Sequence, residues 1–246
     1  MQPIYDFIDA RGEQPFFLWY APFLPHNPHN PPKRLLEKYA REDKSLHASK
    51  YEAMCEWFDE SCGQLLTYLR EQGLEQDTLV VFVVDNGWIQ RSDSKGYAPR
   101  SKRSPYEGGV RTPIMLSWPG HIEPGARAEY ASSVDLAPTI LRACGVEPPV
   151  AMSGLDLLAA GARRDVVFGE LFSHDVADLE RPTSGLQSRY VIRDGWKLIS
   201  PQGRGRTAEL YDLGADPHER FDLAAEQPQR AAALQRELDA WWRLDA

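Results

Sequence analysis

Asp85, Asn86 and Gly87 stand together at the end of an apolar run from Thr78 to Val84. A carboxylate and an amide carbonyl side by side can offer oxygen to a hard cation such as Ca²⁺ or Mg²⁺, which takes about six or more such ligands. Two donors do not complete that shell, and Asn-Gly is also a turn signal. The ligand reading gains from the position, because open α/β sheets bind ligands at the C-terminal ends of their strands. Downstream, residues 91–103 hold Arg91, Lys95, Arg100, Lys102 and Arg103 against a single acid, Asp93. On its own this is a solvated basic loop; beside the carboxylate–amide pair it is local positive charge for an anionic substrate. Lys102 carries a flexible ammonium that suits one oxygen of a sulfate or phosphate. His26, between Pro25 and Pro28, can donate a proton or hydrogen-bond an anion near neutral pH, although a loop histidine alone is commonly a surface residue. His29 follows in the same loop as a substrate-contact candidate.

These side chains need elements to hold them. Phe16 to Ala21 is a short continuous apolar run, which predicts a buried strand leading into the proline-rich loop Pro22 to Pro32. Residues 48–73 place Tyr51, Met54, Phe58, Cys62, Leu65, Leu66 and Leu69 at steps of three and four, predicting an amphipathic helix stopped at Gly73 and packed on a sheet face. Leu79 to Val84 reads as a fully buried strand, and Pro113 to Trp118 as a third strand ended by Pro119-Gly120. Strand, helix and strand at this spacing predict an α/β fold with a parallel arrangement. A helix is expected over Ser133 to Ala143, with Val134, Leu136, Ile140 and Leu141 inward, Pro138 near its first turn and Gly145 past its end. Beyond residue 160 short strand-like runs take over, at Val166 to Phe172, Tyr190 to Arg193, Trp196 to Ile199 and Glu209 to Leu213, with Asp194-Gly195 as a hairpin turn. They predict a small antiparallel sheet closed by a final helix through Ala231, Leu234, Leu238 and Trp241.

At 246 residues the chain can bury a full core. Its 36 acidic and 28 basic residues give a net charge of −8, which argues against nucleic acid as the main partner. Cys55 and Cys62 lie seven apart on a predicted helix, so their Cα atoms would be about 10 Å apart. That exceeds the roughly 7 Å that a disulfide spans. With Cys144 they read as small core residues. No apolar run approaches transmembrane length and the N-terminus lacks signal-peptide character; for a chain that begins in mid-protein this says nothing of the parent's compartment.

Pro15-Phe16-Phe17-Leu18 running into Pro25-His26-Asn27-Pro28-His29, then Asp85-Asn86-Gly87, then Lys102 ahead of Tyr106-Glu107-Gly108-Gly109-Val110-Arg111, resembles the formylglycine-dependent sulfatases of the alkaline phosphatase-like superfamily. Trp118-Pro119-Gly120, Val134-Asp135-Leu136-Ala137-Pro138-Thr139, Arg193-Asp194-Gly195-Trp196-Lys197-Leu198, Glu209-Leu210-Tyr211-Asp212-Leu213 and Asp216-Pro217-His218-Glu219 extend the resemblance, in order, over nearly the whole chain. It implies part of a large, mostly parallel sheet flanked by helices, followed by a small antiparallel sheet with a helix. Residues 1–160 would be the C-terminal part of the catalytic α/β domain and residues 161–246 a small C-terminal subdomain. It further implies calcium, with magnesium as a possible substitute, on Asp85 and Asn86. His26 and Lys102 would be the catalytic and sulfate-binding pair, with His29 as a further substrate contact. Glu107 and Arg111 read as structural, an internal ion pair that could hold the loop.

The implied reaction is hydrolysis of a sulfate ester, on a small molecule or a sulfated carbohydrate, through a hydrated formylglycine. None of the three cysteines sits in the Cys-x-Pro-x-Arg or Cys-x-Ala-x-Arg pattern that matures to formylglycine. The expectation is therefore a C-terminal portion whose nucleophile, remaining metal carboxylates and aldehyde-stabilising arginine belong to an N-terminal half, and which is inactive alone. By family resemblance the full-length parent is expected to be periplasmic or secreted. Two other readings stay open: a phosphonate or phosphate ester hydrolase of the same superfamily, and a non-catalytic domain that kept the fold.

Overall fold

A computed structural model describes residues 1–175 and 178–244, which divide into two units. The first comprises Met1–Val80 with Ile89–Ala98 and Ser117–Glu123; the second comprises Val81–Trp88, Pro99–Leu116 and the chain from Pro124 onward.

Three helices make the first unit: α1 (Gln2–Ala10), α2 (Lys33–Tyr39) and α3 (Leu46–Glu71). The Ser45 hydroxyl accepts from the Ala48 amide at 3.1 Å and so caps α3, while Gly73, at φ 69°, ends it. The predicted stripe is partly right, since Met54 and Leu69 are buried but Leu66 is exposed. Within this unit α3 packs on helices rather than on the expected sheet. It meets α2 through the ion pairs Arg34–Glu60 and Lys38–Glu56, both 2.5 Å, and α1 through the Tyr5–Tyr68 ring stack at 4.1 Å. Phe16 to Ala21 is a second correction. The segment forms no strand, and Phe17 and Trp19 are 66% and 82% exposed. An apolar run becomes a buried strand only where another strand completes its ladder, and among the described residues none does.

β1 (Val80–Val83) and β2 (Ile114–Ser117), of which residues 81–83 and 114–116 belong to the second unit, pair as a two-stranded sheet, and the Thr112 hydroxyl donates to the Val84 carbonyl at 2.8 Å. β1 was expected to be fully buried, yet Val83 is exposed, as is Met115 on β2, because a two-stranded sheet offers too few neighbours to cover both faces. Helix α5 (Leu136–Ala143) follows a 3₁₀ turn, Ser133–Asp135. That turn leaves Val134 exposed, against expectation, and buries Asp135, whose carboxylate accepts from the Ser132 and Leu155 amides at 2.8 Å each and pairs with Arg164. Pro138 lies in the first turn of α5, and Gly145, at φ 71°, lies past its end as predicted. Cys144 is exposed rather than buried; all three cysteines are free.

The C-terminal sheet is β3 (Val166–Phe172), β4 (Leu186–Arg193), β5 (Trp196–Pro201) and β6 (Glu209–Asp212), antiparallel throughout and in sequence order. Asp194 and Gly195 turn the β4–β5 hairpin at φ 50° and 78°, the paired positive values a two-residue turn requires. Helix α6 (Pro228–Trp241) lies across it and buries Leu234 and Leu238 against Val191, Leu198 and Leu210. Phe168 and Trp241 stack at 4.9 Å between ring centroids. Since Leu238 is fully buried here, Leu238→Ala should lower unfolding free energy by about 2–5 kcal/mol in a urea titration. A loss no larger than that of an exposed leucine would place α6 outside the core. Among the described residues no helix is long and apolar enough to cross a membrane.

Candidate active site

Three of the five candidate residues share the second unit. Asp85 and Asn86 leave the end of β1, with Asp85 exposed and Asn86 half-buried. Their turn is held from both sides. The Gly87 amide donates to the Gly109 carbonyl at 2.9 Å, and the Asn86 side-chain amide donates to the Gly87 carbonyl at 3.1 Å. Only glycine fits at 87, because a Cβ there would lie 2.1 Å from the Gly108 carbonyl oxygen. Gly109 belongs to the one-turn helix α4 (Glu107–Val110). Its own missing side chain admits the Ser101 and Ser104 carbonyls, which would stand 2.3 and 2.5 Å from a Cβ.

That close approach builds the lysine loop. Ser101 is fully buried, its hydroxyl accepts from the Lys102 amide at 2.7 Å, and its carbonyl accepts from the Ser104 hydroxyl at 2.6 Å. Arg100 and Arg103 take positive φ, 59° and 60°, on either side. Lys102 is half-buried, with Nζ 5.8 Å from the Trp88 ring centroid, so its ammonium sits over the residue that follows the Asp85–Gly87 turn. The basic stretch is divided in its use: Arg91 pairs with Asp93 at 2.7 Å, and Arg100 stacks 4.4 Å from the Tyr106 centroid.

Glu107 does not pair within its own loop, as the sequence suggested it could. Its carboxylate meets Lys197 of β5 at 2.9 Å, and Lys197 meets Glu219 at 3.0 Å. Arg111 is exposed. The Lys197 ammonium is wholly buried, and burial holds the Glu219 carboxyl above its usual range despite the lysine beside it. The signal for this cluster was available, since a lysine inside the apolar run Trp196-Lys197-Leu198-Ile199 requires a buried partner. Its partners could not be named from spacing.

His26 and His29 lie in the first unit. His26 is exposed, its ring Nδ1 2.8 Å from the Asn27 carbonyl, and the Asn27 side chain donates to the Lys95 carbonyl at 3.2 Å. His29 is half-buried against Tyr51, with ring centroids 5.5 Å apart. Burial, then the neighbouring His26 and His47, lower its pKa below 6.5. A group with a depressed folded pKa stabilises above its unfolded value, and that contribution is lost as pH falls through the folded one. Urea midpoints of the protein should therefore drop below pH 6.5, and His29→Asn should flatten that drop. An unchanged pH profile would show that His29 titrates normally.

Asp85 and Asn86 suit part of a hard-cation shell: both offer oxygen, and the Asn86 amide nitrogen is committed to Gly87, leaving its carbonyl oxygen for a ligand. Among the described residues no group of three or more His, Cys, Asp or Glu gathers to complete one.

The chain thus has a mixed α/β fold of the alkaline phosphatase-like class, with a carboxylate–amide pair and a lysine near a strand end. A solved structure from Bacteroides fragilis, named as a candidate sulfatase, superposes with a TM-score of 0.81 over 98% of this chain and 57% of that one at 24% identity. Residues 1–146 match the family Sulfatase, and residues 97–242 match the family described as N-sulphoglucosamine sulphohydrolase, C-terminal. The chain belongs to the sulfatase family. It is 31% identical to arylsulfatase A of Homo sapiens over 87% of its length and 45% of that protein's. It is 29% identical to N-acetylgalactosamine-6-sulfatase of Rattus norvegicus over 96% of its length and 49% of that protein's. The chain spans about half the length of the curated relatives it matches.

Proposed function

We propose that these residues form the C-terminal half of a sulfuric ester hydrolase, with the nucleophile, a hydrated formylglycine, contributed from a preceding segment. What carries the reading is the placement of Lys102 over Trp88, beside a carboxylate–amide turn that Gly109 holds in place. In it the Lys102 ammonium binds a sulfate oxygen and stabilises the charge that develops on the adjacent leaving oxygen. His26 hydrogen-bonds the ester and protonates the leaving oxygen, with His29 contacting the substrate beyond it. Asp85 and Asn86 would hold calcium, or magnesium in its place, and a bound cation there neutralises sulfate oxygens. A sulfated carbohydrate fits as substrate, in keeping with the name of the rat relative.

The test is an assay of the protein encoded by the whole reading frame that contains this chain, on 4-nitrophenyl sulfate and 4-nitrophenyl phosphate in parallel. The proposal expects sulfate turnover that a chelator abolishes, Ca²⁺ restores, and replacement of an upstream Cys-x-Pro-x-Arg cysteine removes. His26→Ala should lower kcat roughly 10²–10⁴-fold. Phosphate turnover without sulfate turnover would replace the reading with the phosphoester hydrolase, and inactivity on both would leave a non-catalytic domain.

A further inference from the structure

Lys197 is 0% exposed and Glu219 1%, and no step of the proposed reaction uses either. A buried ion pair is a weak means to stability, since apolar residues of like volume commonly do as well. What charge and hydrogen bonds supply instead is registry between the segments they join. Glu219 follows β6, at φ 54°, and it closes both ends of the lysine loop: Arg100 donates to its carbonyl, and the Glu107 amide donates to its carboxylate at 2.6 Å. Lys197 then fixes the two carboxylates against each other, 2.9 Å from Glu107 and 3.0 Å from Glu219. Tyr106 joins the same cluster by donating to Glu209 of β6 at 2.7 Å. From Glu107 the path runs two residues along α4 to Gly109, which receives the Gly87 amide and seats Ser101 and Ser104.

We propose that Lys197 is a positioning residue. Through Glu107 and Glu219 the C-terminal sheet sets where the Arg100–Glu107 loop presents Lys102, and it braces the Asp85–Gly87 turn through α4. The functional weight of this device rests on the reading given under Proposed function; its mechanical part does not. Replacing Lys197 leaves two buried carboxylates facing each other, so the first response is separation of Glu107 from Glu219, with loosening of the loop.

Hydrogen exchange read by mass spectrometry on this chain tests it, comparing Lys197→Met with Arg189→Met. Arg189 is a buried arginine of the same sheet that pairs with Asp239 at 2.8 Å on the α6 side. At denaturant concentrations that equalise global stability, Lys197→Met should speed exchange of peptides covering 85–88 and 100–110 at least about tenfold, and Arg189→Met should not. Equal acceleration in both variants, or none with Lys197→Met, would make Lys197 an ordinary core residue and overturn the proposal. Should Lys197→Met not fold, Glu107→Gln, which keeps the Lys197–Glu219 pair, carries the same prediction for residues 100–110 and the same failure. In the whole enzyme Lys197→Met should lower kcat with the pH profile unshifted. Loss of sulfate turnover by the unaltered protein would sink the functional reading while the exchange result still decides the positioning role.

Discussion

Lys102→Ala is expected to reduce kcat/KM on a sulfate ester by roughly 10²–10³, the loss seen when one preorganised donor to developing charge is removed. The effect should fall mainly on kcat. In the proposed reaction the bridging ester oxygen gains negative charge as its bond to sulfur breaks, so an ammonium beside it stabilises the transition state more than the bound substrate. The site also gives that ammonium a defined place, half-buried and over the Trp88 ring rather than free in solvent. Lys102→Arg keeps the charge but replaces a compact head with a planar fork, so it should recover only part of the loss. Steady-state kinetics on an aryl sulfate decide the matter: a Lys102→Ala enzyme within threefold of the unaltered one would remove Lys102 from the site.

The second large effect is expected at the two glycines on which the site is assembled. Gly87→Ala would drive a methyl group to 2.1 Å from the Gly108 carbonyl oxygen, and Gly109→Ala to 2.3 Å from that of Ser101. These are backbone atoms that cannot rotate away, so either the Asp85–Gly87 turn or α4 must move. Overpacking of this kind costs about 1–3 kcal/mol, and if Asp85 and Asn86 hold the cation as proposed, displacing their support should lower metal affinity or activity roughly 10–100-fold. Calcium titration calorimetry and thermal melts of the protein measure both. Gly63→Ala is the control: Gly63 lies within α3 with nothing inside 4 Å of an added Cβ. There alanine should raise stability by roughly 0.5–1 kcal/mol. Calcium affinity within a factor of two for Gly87→Ala would show that the turn does not hold the cation.

How far the sequence could be read depends on how local each feature is. β3 was legible to the residue, α3 to within two at each end, and the Asp194–Gly195 hairpin as a turn of two positive φ values. Each follows from neighbours along the chain: side-chain period, apolar runs and glycine stops. Asp85, Asn86 and Lys102 could be singled out for the same reason, since their motifs are contiguous, and their roles belong to the proposed function. Phe16 to Ala21 failed as a strand because strand formation needs a partner that local apolarity does not supply. Val134 was misplaced because the capping turn at Ser132 rotates Asp135 inward instead.

The amino-acid sequence by itself determined the family, the order of the longer elements beyond residue 45 and the residue types available for chemistry, because these are written in short contiguous patterns. Tertiary structure alone decided that Gly109 receives the Gly87 turn and that Glu107 answers to Lys197, 90 residues away, rather than to Arg111. A buried ammonium pairs with whichever carboxylates the fold brings within about 3 Å, and that choice depends on how the C-terminal sheet packs, which no spacing along the chain encodes.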